Sequence, residues 1–138
     1  MSEDDRALLQ NAIDAFNRRD LHALSRLTTD DFEFVPYLTT LIEKSTYSGH
    51  MGWVKYFREA DTAWKWVRVR LDDVQEVRPH LLRGSGEIAA EGRASGLDVH
   101  IPLFWIVEIR DAKLARVHAY ASEEEASRAM TALELSHV

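Results

Sequence analysis

Tyr47-Ser48-Gly49-His50-Met51-Gly52-Trp53-Val54-Lys55-Tyr56-Phe57 leads from a glycine-rich turn into a helix. Trp53, Phe57, Ala60 and Trp64 then fall at helical spacing on one face, which carries the helix to about residue 64. So much aromatic surface on one side demands a broad apolar partner. Upstream, Leu9, Ala12, Ile13 and Phe16 stand at i, i+3, i+4 and i+7 and predict a second amphipathic helix over 4–17. Asp20 can cap a short helix carrying Leu21, Leu24 and Leu27, although Arg19 occupies a helix end that favours glycine. A strand is expected at 32–35, ended by Pro36, followed by a polar loop that reaches Gly49.

Downstream the pattern changes to strands at 67–77, 81–90, 97–109 and 114–121, the last two joined by a tight link. Val99, Ile101, Leu103, Trp105, Val107 and Ile109 are apolar at every odd position, whereas the intervening set is mixed. The odd face is therefore the inner one. Ser122 with Glu125 forms a capping-box pattern for a terminal helix with Ala126, Ala129, Met130 and Leu133 on one side. Helices first and strands later predict an α+β fold with an antiparallel sheet rather than alternating βαβ units.

At 138 residues with 46% hydrophobic content, the chain suits a single domain over 1–138 with a core at about 7–135. Its net charge of −6 and the lack of a basic cluster argue against nucleic-acid binding. There is no cysteine, so disulfide and thiolate chemistry are excluded. The acidic start Ser2-Glu3-Asp4-Asp5 is unlike a signal peptide, and no apolar run reaches membrane-spanning length. A cytoplasmic protein without membrane contact is expected.

Three landmarks in this order resemble the SnoaL-like family of the nuclear transport factor 2-like, or ketosteroid isomerase-like, superfamily. They are Ala12 to Leu21, Tyr47 to Phe57, and Ile109 to Leu114. Val117-His118-Ala119-Tyr120, followed by a Glu-Ala helix, extends the resemblance. It implies a cone: a strongly curved antiparallel sheet wrapped around the N-terminal helices, with a pocket inside. It also implies a homodimer, and either a cofactor-independent isomerase, cyclase or hydro-lyase acting on a hydrophobic small molecule, or a non-catalytic binding or assembly module. Steroid isomerases of the superfamily use a tyrosine, a base carboxylate and a protonated aspartate. Those positions correspond here to Ala12, to Val35 or Pro36, and to Trp105, none of which transfers a proton.

Candidate site residues follow from this frame. Glu33 is the candidate base if it shares the inner face with Val35; alternatively Phe32 and Phe34 point inward and Glu33 faces solvent. His50, at the start of the third helix, and Tyr56 are candidate acid–base groups, with a structural role open to His50. Tyr37, Trp53, Phe57, Trp64, Leu103, Trp105 and Val117 are the candidate pocket walls, set against small residues such as Gly84, Gly86, Ala90 and Ala119 that leave room. His100, Phe104, Ile106, Arg116 and His118 form a candidate dimer interface on the outer sheet face. No histidines stand at ligand spacing, so no metal and no organic cofactor is expected. The facing of the last strand depends on its hairpin. A bulged turn at Ala112 sets Val117 opposite Trp105 and His118 outward, whereas a tight two-residue turn brings His118 inside; the bulged turn is expected, because it keeps Ala115, Val117, Ala119 and Ala121 beside the apolar odd face.

Overall fold

The computed structural model describes residues 3–37 and 46–136. Within them run α1 (Glu3–Arg18), α2 (Leu21–Leu27), β1 (Thr28–Val35), β2 (Tyr47–Ser48), α3 (Gly49–Ala63), β3 (Trp64–Arg78), β4 (Leu81–Gly92), β5 (Asp98–Arg110), β6 (Lys113–Tyr120) and α4 (Glu123–Ser136). Most of the polar loop expected after Pro36, residues 38–45, lies outside the described residues.

α1 buries Leu9, Ala12 and Phe16 of the predicted stripe together with Leu8 and Ala15, whereas Ile13 is only partly buried. It stops at Arg19, whose φ of 57° is left-handed. A residue other than glycine is strained there, and Arg19 offsets the strain with its side chain: the guanidinium pairs with Asp61 and lies 5.3 Å from the centre of the Phe57 ring. Asp20 accepts a hydrogen bond from the Ala23 N–H at 3.0 Å and so caps α2.

The sheet has the order β2-β1-β6-β5-β4-β3 and curves around α1 and α3. Neighbours are antiparallel except β1 and β6, which run parallel. β5 turns its odd residues inward as the alternation predicts: Leu103, Trp105, Val107 and Ile109 are all buried. The β5–β6 hairpin departs from the expected bulged turn. Asp111 and Ala112, with φ of 54° and 60°, make a tight two-residue turn that pairs Arg110 with Lys113. The bulge instead falls at Ala115, between the pairs Ile109–Leu114 and Glu108–Arg116. One extra residue there reverses the parity, so Leu114, Val117 and Ala119 face inward and His118 faces out despite the tight turn. Val117 consequently sits opposite Val107, and Ala119 opposite Trp105.

α4 covers part of the outer face. Ser122 caps it, its hydroxyl accepting from the Glu125 N–H at 3.1 Å, and Met130 packs with Leu81 and Ile106 in a second small core. Ile106 is only 1% exposed. It is thus corrected from a candidate interface residue to an internal one, because the terminal helix of the same chain takes its surface.

β3 is an edge strand, and Asn17 closes part of its open side. The Asn17 amide donates to the Val69 carbonyl and accepts from the Val69 N–H, both at 2.8 Å, in place of a neighbouring strand. Asn17→Ala is expected to cost about 1 kcal/mol, since water can replace both bonds at this exposed site. Asn17→Asp should cost about 2 kcal/mol, because a carboxylate oxygen then faces the Val69 carbonyl. Urea midpoints at unchanged slope measure both; equal losses for the two variants would mean that the paired geometry is unimportant.

Candidate functional site

Between α1, α3 and the inner sheet face lies a cavity of about 70 Å³. Phe16 from α1, Phe34 from β1, Trp53 and Tyr56 from α3, and Leu103 and Trp105 from β5 form its walls. Tyr37 and Pro36 also line it, and Tyr37, 38% exposed, brings it to the surface. Among the described residues no lining side chain carries a charge.

The small residues of β4 do not leave the void expected of them. The Trp105 indole lies across Gly84 and Gly86: a Cβ added at either would stand 3.4 Å and 3.1 Å from it. Glycine there makes room for a tryptophan, and the tryptophan occupies most of that room.

Of the candidate walls, Tyr37, Trp53, Leu103, Trp105 and Val117 do line the cavity. Phe57 and Trp64 do not: Phe57 packs behind the wall, 5.3 Å from both Phe16 and Tyr56, and Trp64 is buried where α3 becomes β3. Their helical spacing is the pattern of an ordinary core face, which explains the difference. Leu9, Ala12 and Phe16 line the cavity as well, beyond the expected walls, and the α1 stripe is their signal in the sequence. Phe34 had a signal as well, in the strand register that points Phe32 and Phe34 inward.

Trp53 is held by its neighbours. Its indole stacks on Phe32 with centroids 5.1 Å apart and 20° between planes, and lies 4.9 Å from Phe34 and 6.3 Å from Phe16. Its Nε1 is buried and has no hydrogen-bond partner among the described residues; Trp64 Nε1 is in the same condition.

Tyr56 is the one candidate acid–base group at the cavity. Burial first, and the nearby Tyr47 second, push its phenol well above the usual tyrosine range. It therefore stays protonated. An acid with a raised folded value leaves stability intact below the unfolded value of about 10, and stability falls as pH rises beyond it, because only the unfolded chain ionises readily. Tyr56 should thus form phenolate only as the fold is lost in an alkaline titration followed by absorbance and circular dichroism, and Tyr56→Phe should lack that step. Phenolate appearing at Tyr56 before unfolding would show the site to be wet.

Glu33 is not a cavity base. Phe32 and Phe34 are buried and Glu33 lies on the outer face, pairing with His118 Nε2 at 2.7 Å and lying 3.9 Å from Arg116. The register that sets Glu33 beside Arg116 and Val35 beside His118 fixes this facing. His50 likewise does not line the cavity. Its Nε2 lies 3.2 Å from the Thr28 carbonyl and 3.9 Å from Asp30, tying the start of α3 to β1. On the outer face His100 pairs with Glu87 at 3.1 Å, and Arg116 also approaches Glu108 at 3.7 Å. No group of three potential metal ligands occurs among the described residues. None of their helices is long and apolar enough to cross a membrane.

The family model described as SnoaL-like domain matches residues 9–117. No curated protein sequence matches the chain. Among solved structures, a nuclear transport factor 2-like protein of unknown function from Burkholderia pseudomallei aligns with a TM-score of 0.76 at 17% identity, covering 93% of this chain and 97% of that one. TerC, co-crystallised with polyporic acid, aligns with a TM-score of 0.76 at 16% identity over 91% and 97%. A protein of ketosteroid isomerase-like fold from Catenulispora acidiphila, in complex with trimethylamine, aligns with a TM-score of 0.71 at 13% identity over 84% and 85%. At these identities the likeness is one of fold.

Proposed function

The chain belongs to the SnoaL-like domain family, and from that premise we propose that it binds a small, neutral, hydrophobic molecule in the cavity of its cone. The charge-free lining carries this reading. An ion entering such a wall would lose its hydration without gaining a counter-charge, at a cost of several kcal/mol. A neutral ring loses little and gains contact with aromatic walls.

Binding, rather than proton transfer, is the better-supported use of the site. Among the described residues the cavity offers no carboxylate and no imidazole, and Tyr56 is kept protonated by burial. An isomerase, cyclase or hydro-lyase of the kind the family resemblance implies needs a base at the substrate, and none of the described walls supplies one. The size of the cavity also bounds the ligand. About 150 Å³ holds a benzene-sized guest, roughly twice the space present, so a one-ring compound requires Tyr37 or a neighbouring ring to move.

The test compares neutral and charged rings. Amide chemical shifts of Phe34, Trp53, Leu103 and Val117 should move on adding acetophenone and stay fixed with benzoate or benzylammonium. Benzoate binding as tightly as acetophenone, or no shift with either, would remove the proposal.

We further propose that the chain is a homodimer through the part of the outer face that α4 leaves open. Phe104, half-buried on the outer face between Ser85 of β4 and Tyr120 of β6, supports this. Light scattering should give twice the chain mass, and Arg116→Glu should halve it. A monomer at micromolar concentration contradicts it.

A further inference from the structure

We infer that the cavity takes the slender aliphatic end of a chain, straight or once branched, in preference to a ring, and that the rest of the molecule stays at the Tyr37 mouth. The inference rests on the proposed binding role and narrows it to a ligand class. The space enclosed is about 70 Å³. A water takes about 30 Å³ of its liquid, so roughly two to three groups of that size fill the cavity. Methyl and methylene groups are of comparable size, whereas a six-membered ring is far larger.

A ring could enter only if the walls gave way, and the aromatic walls are interlocked. Between ring centroids, Phe16 lies 6.3 Å from Trp53, 5.5 Å from Tyr56 and 5.3 Å from Phe57, and Phe34 lies 4.9 Å from Trp53 and 5.2 Å from Tyr56. Each ring braces others, so none turns without disturbing the set. Trp105, 6% exposed, rests against Gly84 and Gly86 of β4 and has nowhere to retreat. Tyr37 is the exception. At 38% exposed it has solvent to swing into, which widens the mouth without deepening the cavity. Leu9, Ile13, Ile88 and Val117 complete the lining with aliphatic surface. A methylene drawn in from water therefore gains its full transfer term, whereas a ring must first overpack a filled wall.

The 1-alkanols from ethanol to octanol keep the head constant while the tail grows. In titrations followed by the amide shifts of Leu103 and Val117, affinity should rise roughly fourfold per carbon up to about four carbons. Beyond that each carbon should add less than about twofold, because the cavity is full. Cyclohexylmethanol has one carbon more than 1-hexanol, yet it should bind roughly tenfold more weakly, the equivalent of about two methylenes left outside. Ile88→Ala deepens the cavity and should move the break outward by about two carbons. Should that variant fail to fold, Ile88→Val should move it by about one. A steady rise through octanol, a ring bound as tightly as the chain, or a break that the Ile88 variants leave in place would overturn the inference, while the acetophenone comparison still decides the binding role. Binding of acetophenone but of no alkanol would do the same. Binding of none of these compounds would overturn the binding role itself.

Discussion

Gly86→Ala is expected to leave no folded protein, or one weakened by more than about 4 kcal/mol, beyond the range of ordinary substitutions. Gly86 stands where β3 bulges between Leu71 and Asp73. A Cβ built on it would lie 1.8 Å from the Arg70 carbonyl oxygen and 3.1 Å from the Trp105 indole. The first contact involves backbone, so no rotamer change relieves it; β3 must separate from β4 or the bulge must be rebuilt. Glycine at a bulge where another backbone approaches is the expected solution to that crowding. Gly84 supplies the control. Its added Cβ meets Leu71 and Trp105 side chains at 3.4 Å, an ordinary contact, so Gly84→Ala should change stability by less than about 1 kcal/mol. Urea unfolding followed by circular dichroism measures both. Similar small losses at the two positions would show that β3 shifts freely and that the bulge is not fixed by Gly86.

This pair marks how far the sequence could be read. The two helical stripes and the odd-numbered run of β5 are period signals over many residues, so the cone and its inner face were legible. Three features were not. β2 is two residues long, Tyr47 and Ser48, too short for any period, and it forms because β1 offers an open edge to it. The apolar pattern favours a hairpin bulged at Ala112 after Arg110; alanine does take the left-handed conformation there, but in a tight turn, and the bulge falls at Ala115. Two opposing changes of parity therefore leave His118 outside, an outcome that only cross-strand pairing decides. Glu33 then finds its partner 85 residues away in sequence, on the parallel neighbour β6. Local pattern contains no term for such a contact. The site was legible as a set of aromatics but not as a volume, since whether Trp105 fills or borders the space over Gly84 and Gly86 depends on one rotamer.

That rotamer makes Trp105→Ala the most informative change in the cavity. Truncating a buried tryptophan costs about 3–5 kcal/mol from lost contacts and the void left behind. The upper half of the range applies here. Trp105 is 6% exposed, and the β4 residues beneath it, Gly84 and Gly86, have no side chains that could collapse into the gap. The same argument predicts a gain. Removing the indole joins its space to the existing 70 Å³, carrying the cavity past the roughly 150 Å³ that accepts benzene. An apolar guest then needs no wall to move. A compound such as naphthalene, held at a hundred times its dissociation constant, should restore about 2.7 kcal/mol of the lost stability to the variant. The wild type should gain much less, because the bicyclic ring does not fit beside Trp105. Thermal and urea unfolding of both proteins, with and without naphthalene, give the four values required. A loss below about 2 kcal/mol with no rescue would mean that the inner helices close onto β4. In that case the cavity is a packing remnant, and the function of the chain has to be sought on its outer sheet face.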